Sequence, residues 1–447
     1  MASPFQVPAI RQFIAFRILF NARFYYPVFT ILFLDFGLTL SQFALLNAVW
    51  AATIVICEVP SGALADLIGR RRLLVFAGAA MIFEIGILCI VPVGAGPLLF
   101  TVFTINRVLS GMAEAAASGA DEALAYDALK GAGLESEWGR VLETLMRLQS
   151  MSFIVAMTTG AALYDPGLVQ SALTVLGHPG PVLQEDTLRL PLYLTLIMGV
   201  AAFIVTLRLK DTPPEDHRPD SDTPAPSAPS VIEAFRITLS AGRWILQTPF
   251  ALGVIAAGML FDHVIRMVLT MNSQYYRLIH LPEASFGLIG SLMAVAGLFV
   301  PRLARRLVER GTPERNLWIM GGATLAGLGG MALFIPYAGL IPAVLLVSVM
   351  YAVNFMLSSY LNEITDSSKR ATVLSFKGLS YNLAYGAIGI LYAGLLAVIA
   401  RPDAAGTDVA SADAGFVLAM PYFLPYFFVL FLMLAAVVFK RKRDGVR

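Results

Sequence analysis

The sequence predicts an all-α membrane protein with twelve transmembrane helices in two pseudo-symmetric six-helix bundles. Three observations predict this fold class: the composition, the spacing of apolar segments, and a repeat between the two halves. Of the 447 residues, 57% are hydrophobic and 14% are charged, whereas a soluble domain carries roughly 25% charged residues. With a mean hydropathy of +0.73, the chain has more apolar surface than a water-soluble core can bury.

Twelve apolar segments of roughly 20 residues are long enough to cross the ~30 Å hydrocarbon core of a bilayer. The first six lie near residues 12–35, 43–65, 73–94, 97–122, 139–163 and 189–208. The second six lie near residues 243–270, 285–308, 316–337, 340–362, 371–399 and 415–439. Between the two sets, residues 211–230 are rich in Pro, Asp and Ser, a composition typical of a linker. The predicted domains are therefore an N-terminal bundle at 1–208, a cytoplasmic linker at 209–232 and a C-terminal bundle at 233–447.

Basic residues predict the orientation of the chain in the membrane. They cluster at alternate connections and at the C-terminus, and the other connections carry few apart from Arg189, Arg277 and Arg401. By the positive-inside rule, both termini are expected in the cytoplasm, with the chain in the plasma membrane, the inner membrane of a bacterium. We expect a monomer. The net charge of +2 gives no reason to expect a nucleic-acid partner.

The two halves repeat each other in two alignments. Each half carries D-x-x-K followed by two basic residues seven positions apart on one helix face. The matched residues are Asp127, Lys130, Arg140 and Arg147 in the first half and Asp366, Lys369, Arg370 and Lys377 in the second. A second alignment places Phe43 opposite Phe286 and, at the same offset, Arg23 opposite Arg266. Internal duplication of this kind is expected where two transporter halves rock about a central site.

The connection between predicted spans two and three carries the most specific motif. Its sequence GALADLIGRRR, residues 62–72, resembles the signature G-x-L-A-D-[RK]-x-G-R-[RK] of the major facilitator superfamily, with Leu67 in place of the usual basic residue. RVLSG, residues 107–111, resembles the weaker R-x-x-x-G motif of the same family. The span-five proline signature of the family's antiporters is absent. The resemblance implies this family's fold, alternating access, and a cavity lined mainly by spans one, four, seven and ten.

Charged residues around the motif are candidates for a cytoplasmic gate. Asp66 can accept hydrogen bonds from Arg70, and Asp127 is a plausible partner for Arg70 or Arg71. At least one of Asp121 and Glu122 is expected to join the gate with Arg140 or Arg147. The predicted gating residues are Gly62, Asp66, Gly69, Arg70, Arg71, Asp127, Arg140, Arg147, Asp366 and Arg370. The alternative is that these residues only set the topology.

Charged residues inside the spans predict how a substrate is bound. Each costs about 2.5 to 3.5 kcal/mol at the bilayer centre unless it has a partner or a watery cavity. Because guanidinium suits carboxylate or phosphate, Arg23 and Arg266 are expected to bind an anionic group. The predicted substrate-binding residues are Asn21, Arg23, Tyr25, Tyr26, Arg107, Arg266, Asn354, Tyr381 and Asn382. For Arg23 a salt bridge that fixes packing is the alternative.

Three ionisable residues are candidates for proton coupling. Glu114, Asp262 and His263 lie inside predicted spans, and buried carboxylates and histidines change protonation readily. For His263 a packing role is an equal alternative. For Glu58 and Glu84 structural pairing is favoured.

The sequence carries none of the common enzyme motifs. It contains no H-E-x-x-H, no G-x-S-x-G and no P-loop lysine, so an enzyme or an ATP-driven pump is not expected. The two cysteines lie in apolar segments and predict neither a disulfide nor a metal site, and we expect no cofactor. We therefore predict a secondary transporter for a small organic solute, anionic or amphipathic, coupled to protons. A broad-specificity efflux transporter and a non-transporting receptor or lipid-handling protein on the same fold are the alternatives.

Overall fold

The computed structural model describes residues 3–94, 96–177, 180–210, 245–364, 367–399 and 409–444, with residues 232, 236 and 243. Every regular element within these ranges is helical, which confirms the predicted all-α class.

Ten α-helices form the N-terminal half of the described chain. They are α1 Pro8–Asn21, α2 Phe29–Asp35, α3 Leu40–Ile68, α4 Arg70–Ile90, α5 Pro97–Ala117, α6 Ala120–Gly131, α7 Trp138–Tyr164, α8 Pro166–Val175, α9 Gln184–Thr187 and α10 Leu190–Arg208.

The described C-terminal half contains eight further α-helices. They are α11 Pro249–Thr270, α12 Asn272–Leu278, α13 Phe286–Arg310, α14 Pro313–Met331, α15 Leu340–Ile364, α16 Ser367–Ile399, α17 Val409–Ala419 and α18 Phe423–Asp444.

Eight helical segments in the described ranges are long and apolar enough to cross a membrane, and the chain is a multi-pass membrane protein. They include Leu40–Ser61, Arg70–Ile90 and Pro249–Thr270. The predicted spans near 12–35, 97–122, 139–163 and 316–337 are mainly helical but are not among the eight. Charged side chains within the second and third of these lower their mean hydropathy.

The predicted first span consists of two helices. α1 ends at Asn21 and α2 begins at Phe29, with a short 3₁₀ turn at Tyr26–Val28 between them. Pro27 in this turn has no backbone N–H and cannot continue a helical ladder. The break therefore puts Arg23 and Tyr25 on irregular backbone, which is tolerated at membrane depth where protein buries it.

Contacts divide the chain into two compact units. Unit 1 contains Met1–Tyr26, Thr53–Val91 and Thr101–Arg236, and within it α10 packs on α4 and on α1. Unit 2 contains Pro27–Ala52, Pro92–Phe100 and Ile237–Arg447, and within it α11 packs on α15 and α16 while α2 packs on α12 and α17.

Candidate functional site

A buried ion pair forms the centre of the polar residues in unit 1. The Arg23 guanidinium, just after α1, is paired with the Glu84 carboxylate in the middle of α4, and their side chains are 3% and 0% exposed. The ring of Phe20 lies 5.3 Å from the guanidinium carbon of Arg23. The predicted structural pairing of Glu84 is present. For Arg23, this partner favours the packing alternative over contact with a solute.

The neighbouring polar residues on α5 extend this buried network. Asn106 donates its side-chain N–H to the Glu84 carbonyl at 2.8 Å, and Arg107 donates Nε–H to Asn106 Oδ1 at 3.0 Å. Asn106 and Arg107 are 0% and 4% exposed. Glu114, two turns further along α5, is exposed. The same helix thus buries the predicted substrate ligand Arg107 and exposes the predicted proton carrier Glu114.

The remaining unit 1 candidates differ in their accessibility. Tyr25 is buried, whereas Tyr26 is 47% exposed and stands edge-on to it with ring centroids 5.2 Å apart. Asn21 is exposed and donates to the carbonyl of Arg17 at 2.8 Å. Of the predicted ligands in unit 1, Tyr26 and Asn21 are therefore the exposed ones.

A second polar cluster lies between α11 and α16 in unit 2. The Arg266 guanidinium pairs with Asp262, one turn earlier on the same helix, at 2.7 Å. It also donates to Asn382 Oδ1 at 3.1 Å and to the Tyr381 carbonyl at 3.0 Å, and it lies 4.3 Å from the centroid of the Tyr385 ring. The Arg266 side chain remains 26% exposed. The structure thus brings together four residues predicted from the sequence: Asp262, Arg266, Tyr381 and Asn382.

Lys377 adds a second cation to this cluster. Its ammonium lies 5.3 Å from the centroid of the Tyr381 ring, one turn along α16. The Tyr381 hydroxyl packs against Gly258, where an added Cβ would lie 1.7 Å from the oxygen. That hydroxyl has no hydrogen-bond partner among the described residues. Asn354, also predicted as a ligand, is exposed on α15.

His263 has both ring nitrogens engaged. Nδ1 lies 2.5 Å from the Met259 carbonyl oxygen and Nε2 lies 3.1 Å from the Tyr426 hydroxyl, and the residue is 6% exposed. These contacts favour the packing alternative for His263.

Of the two partners predicted for Asp127, Arg70 and Arg71, it is Arg70 that pairs with it in unit 1. The side chains are 31% and 39% exposed. Gly69 separates α3 from α4. Its φ of +95 is a backbone conformation that residues with a Cβ rarely adopt. Arg71 donates to the carbonyl of Leu207 at 3.0 Å. The glycine thus lets the chain turn so that Arg70 reaches α6.

The prediction that at least one of Asp121 and Glu122 pairs with Arg140 or Arg147 is wrong. Both carboxylates pair with Arg17 of α1. Helix α5 ends before Gly119, which has φ +76, and the restart at α6 places this acidic pair beside α1.

Arg140 and Arg147 pair instead with carboxylates on or next to their own helix. Arg140 lies 3.6 Å from Glu137, and Arg147 lies 3.2 Å from Glu143 one turn away. Both arginine side chains are more than half exposed, so these local pairs contribute little to stability.

Four predicted gating residues lie outside the part of the chain whose side chains are described. They are Gly62, Asp66, Asp366 and Arg370.

Sequence reasoning missed a charged cluster in unit 2. Arg277 of α12 pairs with Asp35 at the end of α2 and with Glu283. Gln274, one turn before Arg277, donates to Asp413 of α17. The sequence did contain one signal for this cluster: Arg277 is among the few basic residues on the connections expected outside the cytoplasm.

An apolar cavity of about 370 Å³ also lies in unit 2. Its walls come from α11, α14, α15 and α18, and Glu314, Asn316 and Tyr360 are its ionisable or amide-bearing members. Asn316 donates to the Tyr360 hydroxyl at 2.8 Å. None of the predicted site residues lines this cavity. Among the described residues, no group of three or more His, Cys, Asp or Glu could hold a metal ion.

A match to a known protein-family model identifies the family of this chain. A sequence model of the Major Facilitator Superfamily matches residues 13–389. The chain belongs to the major facilitator superfamily. The resemblance read from residues 62–72 is thereby confirmed.

Solved structures of superfamily transporters share the fold. The nucleoside transporter NupG has a TM-score of 0.68 at 13% identity, covering 98% of this chain and 99% of that one. A bacterial homolog of the human lysosomal transporter Spinster, inward-facing and occupied, has a TM-score of 0.65 at 14% identity, covering 99% and 98%. A D-xylose-proton symporter has a TM-score of 0.58 at 14% identity, covering 94% and 97%. No curated protein sequence matches the chain.

Proposed function

We propose that this superfamily member is a secondary transporter that moves a small organic anion across the membrane by alternating access, coupled to protons. The observation that carries the proposal is the Arg266 cluster, an arginine inside a predicted span that is held in place by its neighbours yet is 26% exposed. A charge at that depth is retained where it pairs or faces water.

The charges in the cluster favour an anionic solute. Arg266 and Lys377 supply two cations, and Asp262 supplies one carboxylate near both. The planar guanidinium of Arg266 is held by Asn382 and by the Tyr385 ring, so it is oriented for bidentate contact with a carboxylate or phosphate. Arg23 differs from Arg266 in exposure, because its pair with Glu84 is buried, with side chains 3% and 0% exposed.

Competition for Arg266 supplies a coupling mechanism. An anion that binds Arg266 displaces Asp262, whose largely buried carboxylate then loses the guanidinium with which it pairs and keeps only the more distant Lys377. A carboxylate in that situation takes up a proton. Anion and proton then travel together without net charge, and release of the anion lets Asp262 return its proton and pair with Arg266 again.

A thermal-shift screen of the purified protein tests the proposal. The probes are carboxylates, phosphate esters, neutral sugars and organic amines, tested on the parent, Arg266→Ala and Arg147→Ala. Arg147 is the matched control, because it also pairs with a carboxylate four residues away but is 69% exposed. We expect at least one anion to raise the unfolding temperature of the parent and of Arg147→Ala, but not of Arg266→Ala. Stabilisation by amines alone, unchanged in Arg266→Ala, would favour the efflux alternative.

The coupling mechanism has its own test. Asp262→Asn leaves Arg266 without its competitor, so the stabilising anion should bind more tightly and with less dependence on pH. In proteoliposomes the parent should accumulate that anion when a pH gradient is imposed, whereas Asp262→Asn should exchange it without accumulation. Binding without any flux in the parent would favour the receptor alternative.

A further inference from the structure

Five side chains at one end of unit 2 form a cluster that we call the acidic latch: Asp35, Gln274, Arg277, Glu283 and Asp413. Arg277 donates to both oxygens of Asp35, at 2.9 and 2.7 Å, and its Nε–H donates to Glu283 Oε1 at 2.8 Å. All three guanidinium nitrogens are therefore engaged by two carboxylates. The distribution of basic residues predicts that this end faces away from the cytoplasm.

Asp413 is the carboxylate of the latch that has no guanidinium of its own. Its side chain accepts a hydrogen bond from the amide of Gln274, and the charged groups acting on it are Arg277 and Asp35. α17, which carries Asp413, packs on α2 and α16. The last seventeen residues of α16, 383–399, contain no charged residue. The other titratable side chains are Tyr275 and Tyr276 on α12, His280 and Glu283 in the residues that follow it, and Tyr385 and Tyr392 in residues 383–399.

Gln274 provides an independent indication that a hydrogen-bond donor belongs here. The residue is 0% exposed, and its amide oxygen has no hydrogen-bond partner among the described residues. A buried acceptor left without a donor costs about 1 to 3 kcal/mol. If the side-chain amide of Gln274 rotates by a half-turn, Nε2 moves away from Asp413 and Oε1 faces that carboxyl group instead. That oxygen can then accept the O–H of a protonated Asp413.

We infer that Asp413 is a proton-binding site whose protonation stabilises the closed form of the acidic latch. Three carboxylates against one guanidinium leave two excess negative charges in a partly buried place. A proton on Asp413 removes one of them, and the amide of Gln274 has a suitable atom for either protonation state.

The latch joins residues 27–52 to the C-terminal helices. Nearby, Ser41 donates to the Ala393 carbonyl at 3.2 Å, and an added Cβ on Gly389 would lie 3.3 Å from the Cβ of Ala48. Ala48 is 6% exposed. Alternating access requires such contacts to separate, which would hydrate the latch. The role of this proton site in transport rests on the proposed function, but the site itself rests on the latch geometry.

The sign of the pH effect follows from linkage. The closed latch binds the proton more favourably than the separated, hydrated latch, so acid stabilises closure and rising pH releases it. For one proton, the ratio of closed to open molecules changes by up to about tenfold per pH unit within the titration range.

Thiol labelling of Ala48→Cys tests the inference without any substrate. The background carries Cys57→Ala and Cys89→Ala, which remove both native cysteines. The purified protein in detergent is labelled with a maleimide reagent at pH 5.5 to 8. Each rate is divided by that of Ser171→Cys, an exposed position on α8, which corrects for the pH dependence of maleimide chemistry. We expect the normalised rate to rise at least tenfold across this range.

Variants of the latch identify the responsible group. Asp413→Asn should label slowly at every pH, because it mimics the protonated form, and Asp413→Glu should restore the pH response. His280→Gln should retain the response of the parent, and Asp35→Asn should label rapidly throughout because it breaks the Arg277 pair. A pH response that survives in Asp413→Asn, or its absence in the parent while Asp35→Asn labels rapidly, would overturn the inference. Both outcomes are independent of whether the protein moves a solute in the flux assays.

Discussion

The Arg23–Glu84 pair predicts a large and specific loss of stability when one partner is removed. Both side chains are at most 3% exposed, so Arg23→Ala leaves a carboxylate in a dry site. Removing one member of a buried ion pair costs about 3 to 5 kcal/mol. We expect Glu84→Gln to cost a similar amount, because it leaves the guanidinium without a counter-charge.

A double replacement separates charge from packing. Arg23→Met combined with Glu84→Leu removes both charges and keeps side chains of similar length, and such a replacement is often neutral or stabilising. Stability is measured by equilibrium unfolding in mixed detergent micelles. The double variant should unfold within about 1 kcal/mol of the parent, a strongly non-additive result.

Two results would refute this reasoning. One is a loss below about 1 kcal/mol in both single variants, which would mean that water reaches the pair. The other is a double variant whose loss equals the sum of the two single losses. Retained anion binding by folded Arg23→Met/Glu84→Leu would further separate this structural role from that of Arg266.

Two further predictions concern close packing and an unpaired hydroxyl. Gly160→Ala should destabilise the protein by about 1 to 3 kcal/mol, because its Cβ would lie 1.7 Å from the Phe24 carbonyl oxygen; thermal unfolding unchanged from the parent would contradict this. Tyr381→Phe should leave stability unchanged or slightly higher, because its hydroxyl is buried without a partner among the described residues. Tyr360→Phe, which removes the bond from Asn316, is the matched control and should lose about 0.5 to 1.5 kcal/mol.

The sequence predicted the all-helical membrane class and the family because those depend on composition and on a local motif. It also predicted the Arg70–Asp127 pair, since the motif's turn and the end of span four fall on the same side of a chain that crosses the membrane repeatedly. Asp262 and Arg266 lie four residues apart on one helix, so helical periodicity alone puts them together. These are short-range inferences or consequences of topology.

Partners on different helices were harder to predict. At least one of Asp121 and Glu122 was expected beside Arg140 or Arg147, but a left-handed glycine at 119 restarts the helix and directs the acidic pair to Arg17. Sequence periodicity gives the face of a helix but not the neighbour that the face meets. The same limit concealed Asp35 as the partner of Arg277, because 242 residues separate them.

The repeat aligns Arg23 with Arg266, but the two arginines differ in their partners and in their exposure. Both arginines occupy matching positions, yet Arg23 pairs with a carboxylate from another helix and is buried, whereas Arg266 pairs with one on its own helix and is 26% exposed. A partner on another helix fixes packing, and displacing it would disturb that packing. A partner one turn away can be exchanged for a solute by rotamer changes alone. If duplication supplied two equivalent arginines, this difference favours the C-terminal arginine for binding and the N-terminal one for holding its bundle together.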